Sequence, residues 1–498
     1  MDHESTWIIK RTALSNNRTA FIELHSGVTW TYAKLKSRIH HWASYFKLNG
    51  YKKGERVAIL APNSPDLFAL MFACELRGLI YVPLNWRLSH FEINNLLNDC
   101  TPSILLFHAS YQSKIEEVHF HTKILLNSID HIELDLSVLN PVRTISTDPW
   151  MIIYTGGTTG IAKGVVLSKK AINANAVNTI ASWGLSEKDV TINYMPLFHT
   201  GGINALSMPL LMAGGTVVIG NTFDCEEALK ATDTYKATIS LFVPTMYHSM
   251  IHTTYFKEST FPTMNVFISG GAPCPKLIYH AFHNKGLNFK EGYGLTEAGP
   301  NNFFIRSEDS ILKIGSVGKC MLLNSVKVLT EEGIPCGMGE VGELYIKGPH
   351  VFSLYWENKI ETTKTLDNGW LRTGDLAKYD TDGDFYIVGR KKDVIITGGE
   401  NVYPQEVEQL LLQINGISEA AVLGKEDLLW GEIIIAFISL KAGVILNKER
   451  TIEHCKRFLG TYKIPKEVII LPELPKTHVG KIDKKALQML LKSTNKKA

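Results

Sequence analysis

The chain has 498 residues, of which 45% are hydrophobic and 20% are charged. These proportions are those of an ordinary globular protein and exclude a fibrous or disordered chain, and the length indicates at least two domains. The formal net charge is only +3, so no strong overall field directs the protein to nucleic acid or to an anionic membrane.

Short apolar runs alternate with helical patterns in the first third of the chain, at 56–60, 67–76 and 79–84. This alternation is typical of parallel-sheet units. Further apolar runs, each followed by glycine or proline, are 217–219, 238–243 and 265–269. The pattern predicts a large α/β domain.

Residues 191–223 contain no Asp, Glu, Lys or Arg and are long enough to cross a bilayer. Polar side chains, Pro209 and two glycine pairs interrupt this run, and unsatisfied polar groups are costly in hydrocarbon. We therefore predict a buried strand-and-loop core that contains a pocket, and no integral membrane segment.

The character of the sequence changes near residue 390, where a turn-rich region gives way to the charged segment GRKKD at 389–393. Beyond it, Pro404 suits the first turn of a helix, apolar residues repeat at helical spacing, and Gly416 ends the pattern. We predict an N-terminal domain over 1–390 and a small α+β domain over 391–498.

The cysteines and the N-terminal segment bear on the compartment. Seven cysteines are widely scattered, with no pair at the spacing of metal ligands. The segment MDHESTWIIKRT contains acidic side chains and no long apolar run, so no secretory signal is expected. We expect reduced thiols and a cytoplasmic location.

The segment MIIYTGGTTGIAKGVV at 151–166 joins a strand-like run to a loop rich in glycine and threonine. Glycines allow several backbone N–H groups to point at phosphate oxygens, while hydroxyl groups and a lysine add donors and charge. The predicted phosphate-binding residues are Thr155, Gly156, Gly157, Thr158, Thr159, Gly160 and Lys163.

This loop differs from that of a phosphate-loop NTPase, in which the lysine directly follows the last loop glycine and precedes Ser or Thr. Here Ile161 and Ala162 separate Gly160 from Lys163. An NTPase that releases orthophosphate rather than pyrophosphate is therefore disfavoured.

The loop instead resembles the phosphate-binding signature of the adenylate-forming superfamily, which contains acyl-CoA synthetases, peptide-synthetase adenylation domains and beetle luciferases. Further segments resemble the other motifs of this superfamily, in the same order along essentially the whole chain. They are GGAPCP at 270–275, EGYGLTEAG at 291–299, WLRTGDLAKYD at 370–380, GRKKDVIITGGENVYPQEVE at 389–408 and LPKTHVGKID at 474–483. The resemblance implies an α/β fold in which a hinge joins a large multi-subdomain N-terminal domain to the small C-terminal one.

The resemblance also implies an ATP-dependent acid–thiol ligase. Such an enzyme converts a carboxylic acid into an acyl-adenylate, releases pyrophosphate, and then passes the acyl group to coenzyme A. The small molecules implied are ATP, Mg²⁺, coenzyme A and the acid. Two alternatives stay open, namely a carrier-protein thiol as acceptor and a non-catalytic nucleotide or acyl-adenylate sensor on the same fold.

Roles for the nucleotide motifs follow from the resemblance. Backbone at Gly271, Ala272 and Pro273 would lie on one face of adenine, with Tyr293 on the other. Glu297 would hold Mg²⁺, because this hard cation prefers carboxylate and phosphate oxygens. The remaining nucleotide contacts implied are Gly294, Thr296, Asp375 on the ribose hydroxyl groups, and Arg390 on ribose or phosphate.

Lys481 matches the catalytic lysine of the superfamily. The acid attacks an anionic α-phosphate, so a positioned cation would offset the repulsion and stabilise the transition state. Asp393 resembles the hinge about which the C-terminal domain swings between the two half-reactions, and Gly398 and Gly399 would then face the thiol tunnel. The predicted catalytic set is Lys481, Glu297, His199 and Thr155.

His199 matches a position at the junction of the acyl pocket and the thiol tunnel. Amino-acid-activating relatives carry an aspartate in this region, and a buried ammonium without such a partner is costly, so amino acids are disfavoured. The predicted pocket residues are His199, Gly201, Gly202, Asn204, Phe242, Val243, Ser269, Gly294, Leu295 and Ala298. This mostly apolar set suits a fatty or an aryl acid, and o-succinylbenzoate stays open.

Four residues depart from the superfamily pattern. Gly156 stands where serine is usual, Ala162 where proline is usual, Lys169 where many members have histidine, and Glu291 where an amide is common. The loop thereby loses a hydroxyl donor and a fixed backbone angle but keeps its glycines. No nucleic-acid partner is expected, and whether the protein forms a homodimer is not determined by the sequence.

Overall fold

The computed structural model describes residues 6–130, 142–156, 162–477 and 480–494. Within these ranges the strands are, in chain order, β1 (Thr19–Glu23), β2 (Thr29–Thr31), β3 (Arg56–Leu60), β4 (Ile80–Pro83), β5 (Ile104–Phe107), β6 (Lys123–Leu125), β7 (Pro149–Thr155), β8 (Lys163–Ser168), β9 (Val190–Asn193), β10 (Thr216–Ile219), β11 (Ile239–Phe242), β12 (Val266–Ser269), β13 (Phe289–Glu291), β14 (Phe303–Phe304), β15 (Ser316–Cys320), β16 (Ser325–Leu329), β17 (Gly342–Lys347), β18 (Leu354–Tyr355), β19 (Leu366–Asp367), β20 (Trp370–Tyr379), β21 (Phe385–Arg390), β22 (Ile395–Thr397), β23 (Glu400–Val402), β24 (Ile417–Asp427), β25 (Gly431–Leu440) and β26 (Glu467–Leu471).

The α-helices are α1 (Trp7–Leu14), α2 (Tyr32–Leu48), α3 (Pro65–Arg77), α4 (His90–Cys100), α5 (Gln112–Glu116), α6 (Lys169–Trp183), α7 (Ser207–Ala213), α8 (Cys225–Thr234), α9 (Pro244–Met250), α10 (Thr254–Glu258), α11 (Lys276–His283), α12 (Ser307–Leu312), α13 (Lys359–Thr365), α14 (Pro404–Leu411), α15 (Lys448–Phe458) and α16 (Lys484–Thr494). Short 3-10 helices lie at Ala109–Tyr111, Leu126–Ile129, Thr296–Ala298, Lys391–Asp393 and Thr461–Lys463, and a π-helix lies at Gly201–Ala205. Among the described residues, none of the helices has the length and apolar character needed to cross a membrane.

One seven-stranded sheet has the order β18-β8-β7-β4-β3-β5-β6. The five strands β7, β4, β3, β5 and β6 run parallel to one another. At one edge of the sheet, β8 is antiparallel to β7, and β18 is antiparallel to β8. Every residue of β4 and β5 is buried, as expected for parallel strands that are covered on both faces. The predicted phosphate-binding loop lies between β7 and β8, where the pairing of the strands changes from parallel to antiparallel.

Two smaller sheets have the orders β2-β1-β10-β9 and β11-β12-β13. The second is wholly parallel, and the last residues of its first two strands, Phe242 and Ser269, are cross-strand partners. Ligands of open parallel sheets bind outside the carboxyl ends of the strands, so this edge is a natural pocket wall. Between β9 and β10 the chain forms the π-helix and α7, so the predicted strand-and-loop core also contains helix.

An antiparallel sheet has the order β14-β15-β21-β20-β17-β16, with β19 paired to β20. The turn between β20 and β21 brings carboxylate oxygens of Asp380, Asp382 and Asp384 within 4.8 Å of one another. Lys313 Nζ lies 3.0 Å from Asp380 and 2.7 Å from Asp382, and it also binds Asp384. The single positive charge of Lys313 thus offsets part of the negative charge of this turn.

The last sheet has the order β23-β22-β25-β24, with β26 parallel to β25. Apolar side chains of α14 and α15 pack on one face, and Leu487 and Leu491 of α16 pack on the other. Pro404 begins α14 as predicted, but the helix ends at Leu411, before the last apolar residue of the predicted repeat. This arrangement confirms the predicted small α+β unit beside a large α/β one, while the boundary at residue 390 stays a prediction.

Local sequence signals account for several helix ends. Pro65 occupies the first turn of α3, where its missing N–H is not needed, and Gly78 ends that helix with φ +65°. At α4, Ser89 Oγ accepts from the backbone N–H of Glu92, whose side chain in turn accepts from the backbone of Ser89. This capping box satisfies two N–H groups that an uncapped helix would leave free.

Candidate active site

Asp375 lies at the centre of a polar cluster on the antiparallel sheet. Its side chain is buried, and Oδ1 lies 2.6 Å from Arg390 Nε on the neighbouring strand. Tyr293 OH donates a 2.5 Å hydrogen bond to Oδ2. Burial raises the pKa of Asp375, while Arg390 and Tyr293 act in the opposite direction. The cluster brings together three of the predicted nucleotide-binding residues.

The predicted adenine loop follows β12. Gly271 has φ +83°, and a Cβ atom built on it would lie 3.6 Å from Val243 and 4.0 Å from Lys481 Cε. The neighbouring Ala272 is half-buried, and Pro273 is exposed. The open backbone at this position leaves a flat surface beside which a planar ring can lie.

Glu291 anchors the adenine loop to the strand that precedes Tyr293. Its Oε1 accepts a 3.1 Å hydrogen bond from the backbone N–H of Cys274, and its Oε2 accepts a 3.0 Å hydrogen bond from Tyr279 OH. Burial raises the pKa of Glu291 to about 8. The residue noted above as a departure from the superfamily pattern therefore connects two nucleotide motifs.

Lys481 is held in a tight turn that faces the adenine loop. The backbone N–H of Thr477 donates to Lys481 O at 2.7 Å, and Gly480, with φ +78°, donates to Thr477 O at 2.9 Å. The surrounding protein lowers the pKa of Lys481, Arg390 lowers it further, and Asp375 raises it. The turn from the C-terminal part of the chain thus carries its cation to the polar cluster of Asp375.

Glu297, the predicted magnesium ligand, lies in the 3-10 helix Thr296–Ala298. Tyr355 OH donates a 2.8 Å hydrogen bond to Glu297 Oε1, and the backbone N–H of Phe352 donates to Glu297 O at 2.8 Å. The first bond orients the carboxylate, and the second holds the backbone of Glu297. A half-buried carboxylate near the predicted phosphate-binding loop fits a hard cation such as Mg²⁺.

Lys163 has a protein partner that the sequence did not reveal. It begins β8, opposite Thr155, and its ammonium group forms an ion pair with Glu361. The same ammonium lies 5.3 Å from the ring centre of Tyr355, which binds Glu297. The lysine therefore stands beside the predicted magnesium ligand.

The rest of the predicted phosphate-binding loop is only partly described. A Cβ atom on Gly156 would meet nothing within 4 Å, so the backbone is open at this position. Gly157, Thr158, Thr159 and Gly160 lie outside the described residues.

His199 precedes the π-helix Gly201–Ala205 and is close enough to Lys481 for the lysine charge to affect it. Its ring centre is 4.6 Å from that of Phe198, and its Nε2 atom is buried without a hydrogen-bond partner. Burial lowers the pKa of His199 to about 4, and the charges of Lys481 and Arg87 lower it too. The imidazole is therefore neutral at physiological pH.

The π-helix Gly201–Ala205 begins two residues after His199. A Cβ atom on Gly202 would lie 2.3 Å from Pro196 O, so only glycine fits at this position. On Gly201 the nearest atom would be the methyl group of Met195 at 3.6 Å, an ordinary van der Waals contact, so a small side chain would fit there. A π-turn is rare and is found frequently at functional sites.

The other predicted pocket residues gather near the carboxyl ends of β11 and β12. Phe242, Ser269 and Ala298 are buried, whereas Val243 and Leu295 are half-buried. A Cβ atom on Gly294 would lie 2.1 Å from Pro300 O, so a glycine is required between Tyr293 and Leu295. The arrangement keeps the second nucleotide motif close to the pocket wall.

Asp393 ends the 3-10 helix Lys391–Asp393, directly after Arg390. Gly398 and Gly399 form the exposed tip of the β22–β23 hairpin, with φ +60° and +84°. Gly398 N–H donates to Trp430 O at 2.8 Å. The predicted hinge thus lies directly beside the cluster of Asp375.

A family model described as "AMP-binding enzyme" matches residues 10–356, and one described as "AMP-binding enzyme C-terminal domain" matches residues 406–481. The chain belongs to this family. It is 33% identical to the indoleacetate–CoA ligase of Aromatoleum aromaticum, over 98% of each chain. It is 31% identical to a long-chain-fatty-acid–CoA ligase of Mycobacterium tuberculosis, over 97% of each chain.

Among solved structures, the o-succinylbenzoate–CoA synthetase of Bacillus subtilis, in complex with its acyl-adenylate intermediate, has a TM-score of 0.89. That structure is 30% identical and covers 97% of each chain, and the same enzyme has been solved with ATP and a magnesium ion. These full-length matches confirm the predicted two-step acid–CoA ligation, in which ATP, Mg²⁺ and coenzyme A take part.

Proposed function

We propose that the cleft between the adenine loop and the Lys481 turn activates a hydrophobic carboxylic acid, either aromatic or aliphatic. The observation that carries this proposal is the position of Lys481, which lies close to Gly271 and interacts with Asp375 and Arg390. Its position suits a cation that serves a reaction at the nucleotide.

In the first half-reaction the carboxylate of the acid attacks the α-phosphorus of ATP. A bond forms between the carboxylate oxygen and phosphorus, and the bond to the bridging oxygen of pyrophosphate breaks, so that pyrophosphate leaves. Lys481 offsets the charge that builds on the α-phosphate, and Glu297 would hold Mg²⁺, which would supply positive charge against the leaving pyrophosphate. Asp375 holds the ribose through its two carboxylate oxygens.

In the second half-reaction the thiolate sulfur of coenzyme A attacks the acyl carbonyl carbon and forms a thioester bond. The bond from that carbon to the phosphate oxygen breaks, so that AMP leaves. This step needs other groups at the same carbonyl, and we propose that the domain over 391–498 rotates about Asp393 to supply Gly398 and Gly399. The exposed position of these glycines and the single short helix between Arg390 and β22 support a hinge at this point.

The pocket supports a hydrophobic acid rather than an amino acid. His199 is neutral, and no carboxylate stands beside it at 198–201 to receive an ammonium group. The relatives named above act on indoleacetate, on long-chain fatty acids and on o-succinylbenzoate, which share an apolar body next to a carboxylate. We propose an acid of this kind, and the free state of all seven cysteines supports a cytoplasmic location.

The test is pyrophosphate release from Mg-ATP across a panel of carboxylic acids, with and without coenzyme A, with mass detection of the products. Acid-dependent pyrophosphate together with an acyl-CoA supports the proposal. Pyrophosphate with no thioester in the presence of coenzyme A would favour a carrier-protein thiol as acceptor. Nucleotide binding without product from any acid would favour the sensor.

A further inference from the structure

Tyr355 connects two side chains that the motifs assign to the phosphates of ATP, although it lies outside all of those motifs. It is 6% exposed, and its OH donates a 2.8 Å hydrogen bond to Oε1 of Glu297, the predicted magnesium ligand. The ammonium group of Lys163 lies 5.3 Å from the centre of the same ring. One aromatic side chain therefore contacts both the carboxylate and the cation.

The backbone and the ring of Tyr355 are held by their neighbours. Tyr355 pairs with Val165 across β18 and β8, and its backbone N–H donates a 2.9 Å hydrogen bond to Thr362 Oγ1. Its ring centre is 4.8 Å from that of Phe352, whose backbone N–H donates to Glu297 O. The same short segment thus holds both the backbone and the carboxylate of Glu297.

The hydrogen bond between Tyr355 and Glu297 uses only one of the two carboxylate oxygens. Burial raises the pKa of Tyr355, and the neighbouring charge of Glu297 raises it further, so the hydroxyl stays protonated and donates. Within the part of the chain that the structure describes, no donor contacts the other oxygen, Oε2. A single carboxylate oxygen is therefore left for a cation.

A carboxylate that offers one oxygen suits Mg²⁺ better than Ca²⁺. Mg²⁺ is small and requires near-octahedral geometry, and it usually binds one or two carboxylates together with phosphate oxygens and water. Ca²⁺ accepts both oxygens of one carboxylate in a more flexible arrangement. Partners that hydrogen-bond to a ligand carboxylate orient it, and their loss weakens metal binding by about 10- to 100-fold.

We propose that Tyr355 is a positioning residue for the adenylation step, whose hydroxyl presents one oxygen of Glu297 to Mg²⁺ and thereby favours Mg²⁺ over Ca²⁺. The inference rests on the proposed function, because it needs Glu297 to hold the cation on the phosphates of ATP. It deepens that function by adding a residue to the site and by giving a reason for the choice of metal.

The test is calorimetry of ATP binding in the absence of any acid, in buffers with Mg²⁺, with Ca²⁺ and with EDTA. The contribution of a metal is the dissociation constant in EDTA divided by that in the metal buffer. We expect the wild type to bind ATP more tightly with Mg²⁺ than with Ca²⁺. Tyr355→Phe keeps the ring beside Lys163, so the contribution of Mg²⁺ should fall by about 10-fold and that of Ca²⁺ by less.

A double-mutant cycle shows whether Tyr355 acts through Glu297. In a Glu297→Gln background, Tyr355→Phe should change the contribution of Mg²⁺ no further. An equal loss in both backgrounds overturns the proposal. Equal affinity of the wild type for ATP in Mg²⁺ and in Ca²⁺ also overturns it, and this measurement needs no variant that might fold poorly.

Tyr32→Phe is the matched control. Tyr32 lies in α2, is fully buried, and donates a 2.8 Å hydrogen bond from its OH to Gly215 O. The change removes a buried hydroxyl, as Tyr355→Phe does, and should leave the contribution of Mg²⁺ as in the wild type. A loss as large as that of Tyr355→Phe would indicate a general effect of the missing hydroxyl and would overturn the proposal.

The absence of acid separates this inference from the proposed function. The expected calorimetric result, together with no product from any acid, supports the role of Tyr355 and counts against the proposed function. Formation of acyl-CoA, together with an unchanged contribution of Mg²⁺ in Tyr355→Phe, overturns the inference and leaves the proposed function intact.

Discussion

Arg390 Nε lies 2.6 Å from Asp375 Oδ1, and the two residues are cross-strand partners on β21 and β20. The pair lies beside the predicted hinge, and Tyr293 OH donates a hydrogen bond to the other carboxylate oxygen of Asp375. A buried carboxylate is stable in this position only because both oxygens have partners. The side chain of Asp375, which we propose to bind the ribose, is thus oriented before any nucleotide binds.

The Asp375→Asn variant should bind ATP poorly. An amide keeps the shape but removes the charge that pairs with Arg390 and one of the two acceptor oxygens. We expect KM for ATP to rise by about 10- to 100-fold, as measured by initial rates of pyrophosphate release. Asp367→Asn, which breaks an exposed pair with Arg372, is the control and should leave KM unchanged. An unaltered KM in Asp375→Asn would remove Asp375 from the ribose site.

Lys481→Ala should abolish adenylate formation and spare thioester formation. The cation is needed when the acid attacks the α-phosphate, whereas attack of a thiol on the acyl-adenylate uses the other domain arrangement. We expect pyrophosphate release to fall by about 100-fold or more, while a supplied acyl-adenylate is still converted to acyl-CoA. Lys492→Ala changes an exposed lysine on α16 and should behave as the wild type. Equal losses in both half-reactions would contradict this division of roles.

The ion pair between Lys163 and Glu361 should contribute to the stability of the large domain. Both side chains are less than one-third exposed, and Lys163 also lies over the ring of Tyr355. We expect a double-mutant cycle with Lys163→Met and Glu361→Gln to give a coupling free energy of about 1 kcal/mol in chemical unfolding. The cycle with the exposed pair Lys230 and Glu226 should give a smaller value. Additive effects of the two changes would show that the pair does not stabilise the fold.

Glu291 should make stability fall as pH rises. Burial raises the pKa of Glu291 from 4.5 to about 8, so between these values the folded protein binds more protons than the unfolded chain. The free energy of unfolding then decreases by up to about 1.4 kcal/mol per pH unit from this group. We expect Glu291→Gln to remove that slope in denaturant titrations between about pH 5 and pH 8. This pH range is chosen because it lies between the two pKa values.

The control for this prediction is Glu467→Gln, which alters an exposed glutamate at the start of β26. Its pH dependence should match that of the wild type. A Glu291→Gln variant that keeps the full slope would mean that other groups cause the pH dependence.

The periodicity of apolar residues and the positions of glycine and proline predicted much of the architecture. The strand at Arg56–Leu60 has the predicted bounds, and the helices that begin at Pro65 and Pro404 contain the predicted apolar repeats. These features depend on neighbours in the chain, which the sequence displays directly. The helix from Pro404 ends earlier than its pattern predicts, at Leu411. The apolar pattern continues beyond it because Leu412 and Ile414, which lie in the following turn, also pack against the core.

The nucleotide-binding residues could be predicted from the sequence because each motif is defined by the types of its residues and their order. The motifs assign Asp375, Tyr293 and Arg390 to the nucleotide, and the structure brings both Tyr293 and Arg390 within hydrogen-bond distance of Asp375. The sequence did not reveal that Glu361 binds Lys163, since the two residues are 198 positions apart and no local pattern connects them.

By itself, the sequence determined the family, the order of the motifs and the types of side chain available for the reaction. Only the tertiary structure decided which of these side chains already have partners, as with Lys163, and which buried atoms lack them, as with Asn175 and Asn204. The physical reason is that hydrogen bonding and burial depend on distances between segments far apart in the chain, and those distances exist only once the sheets have packed.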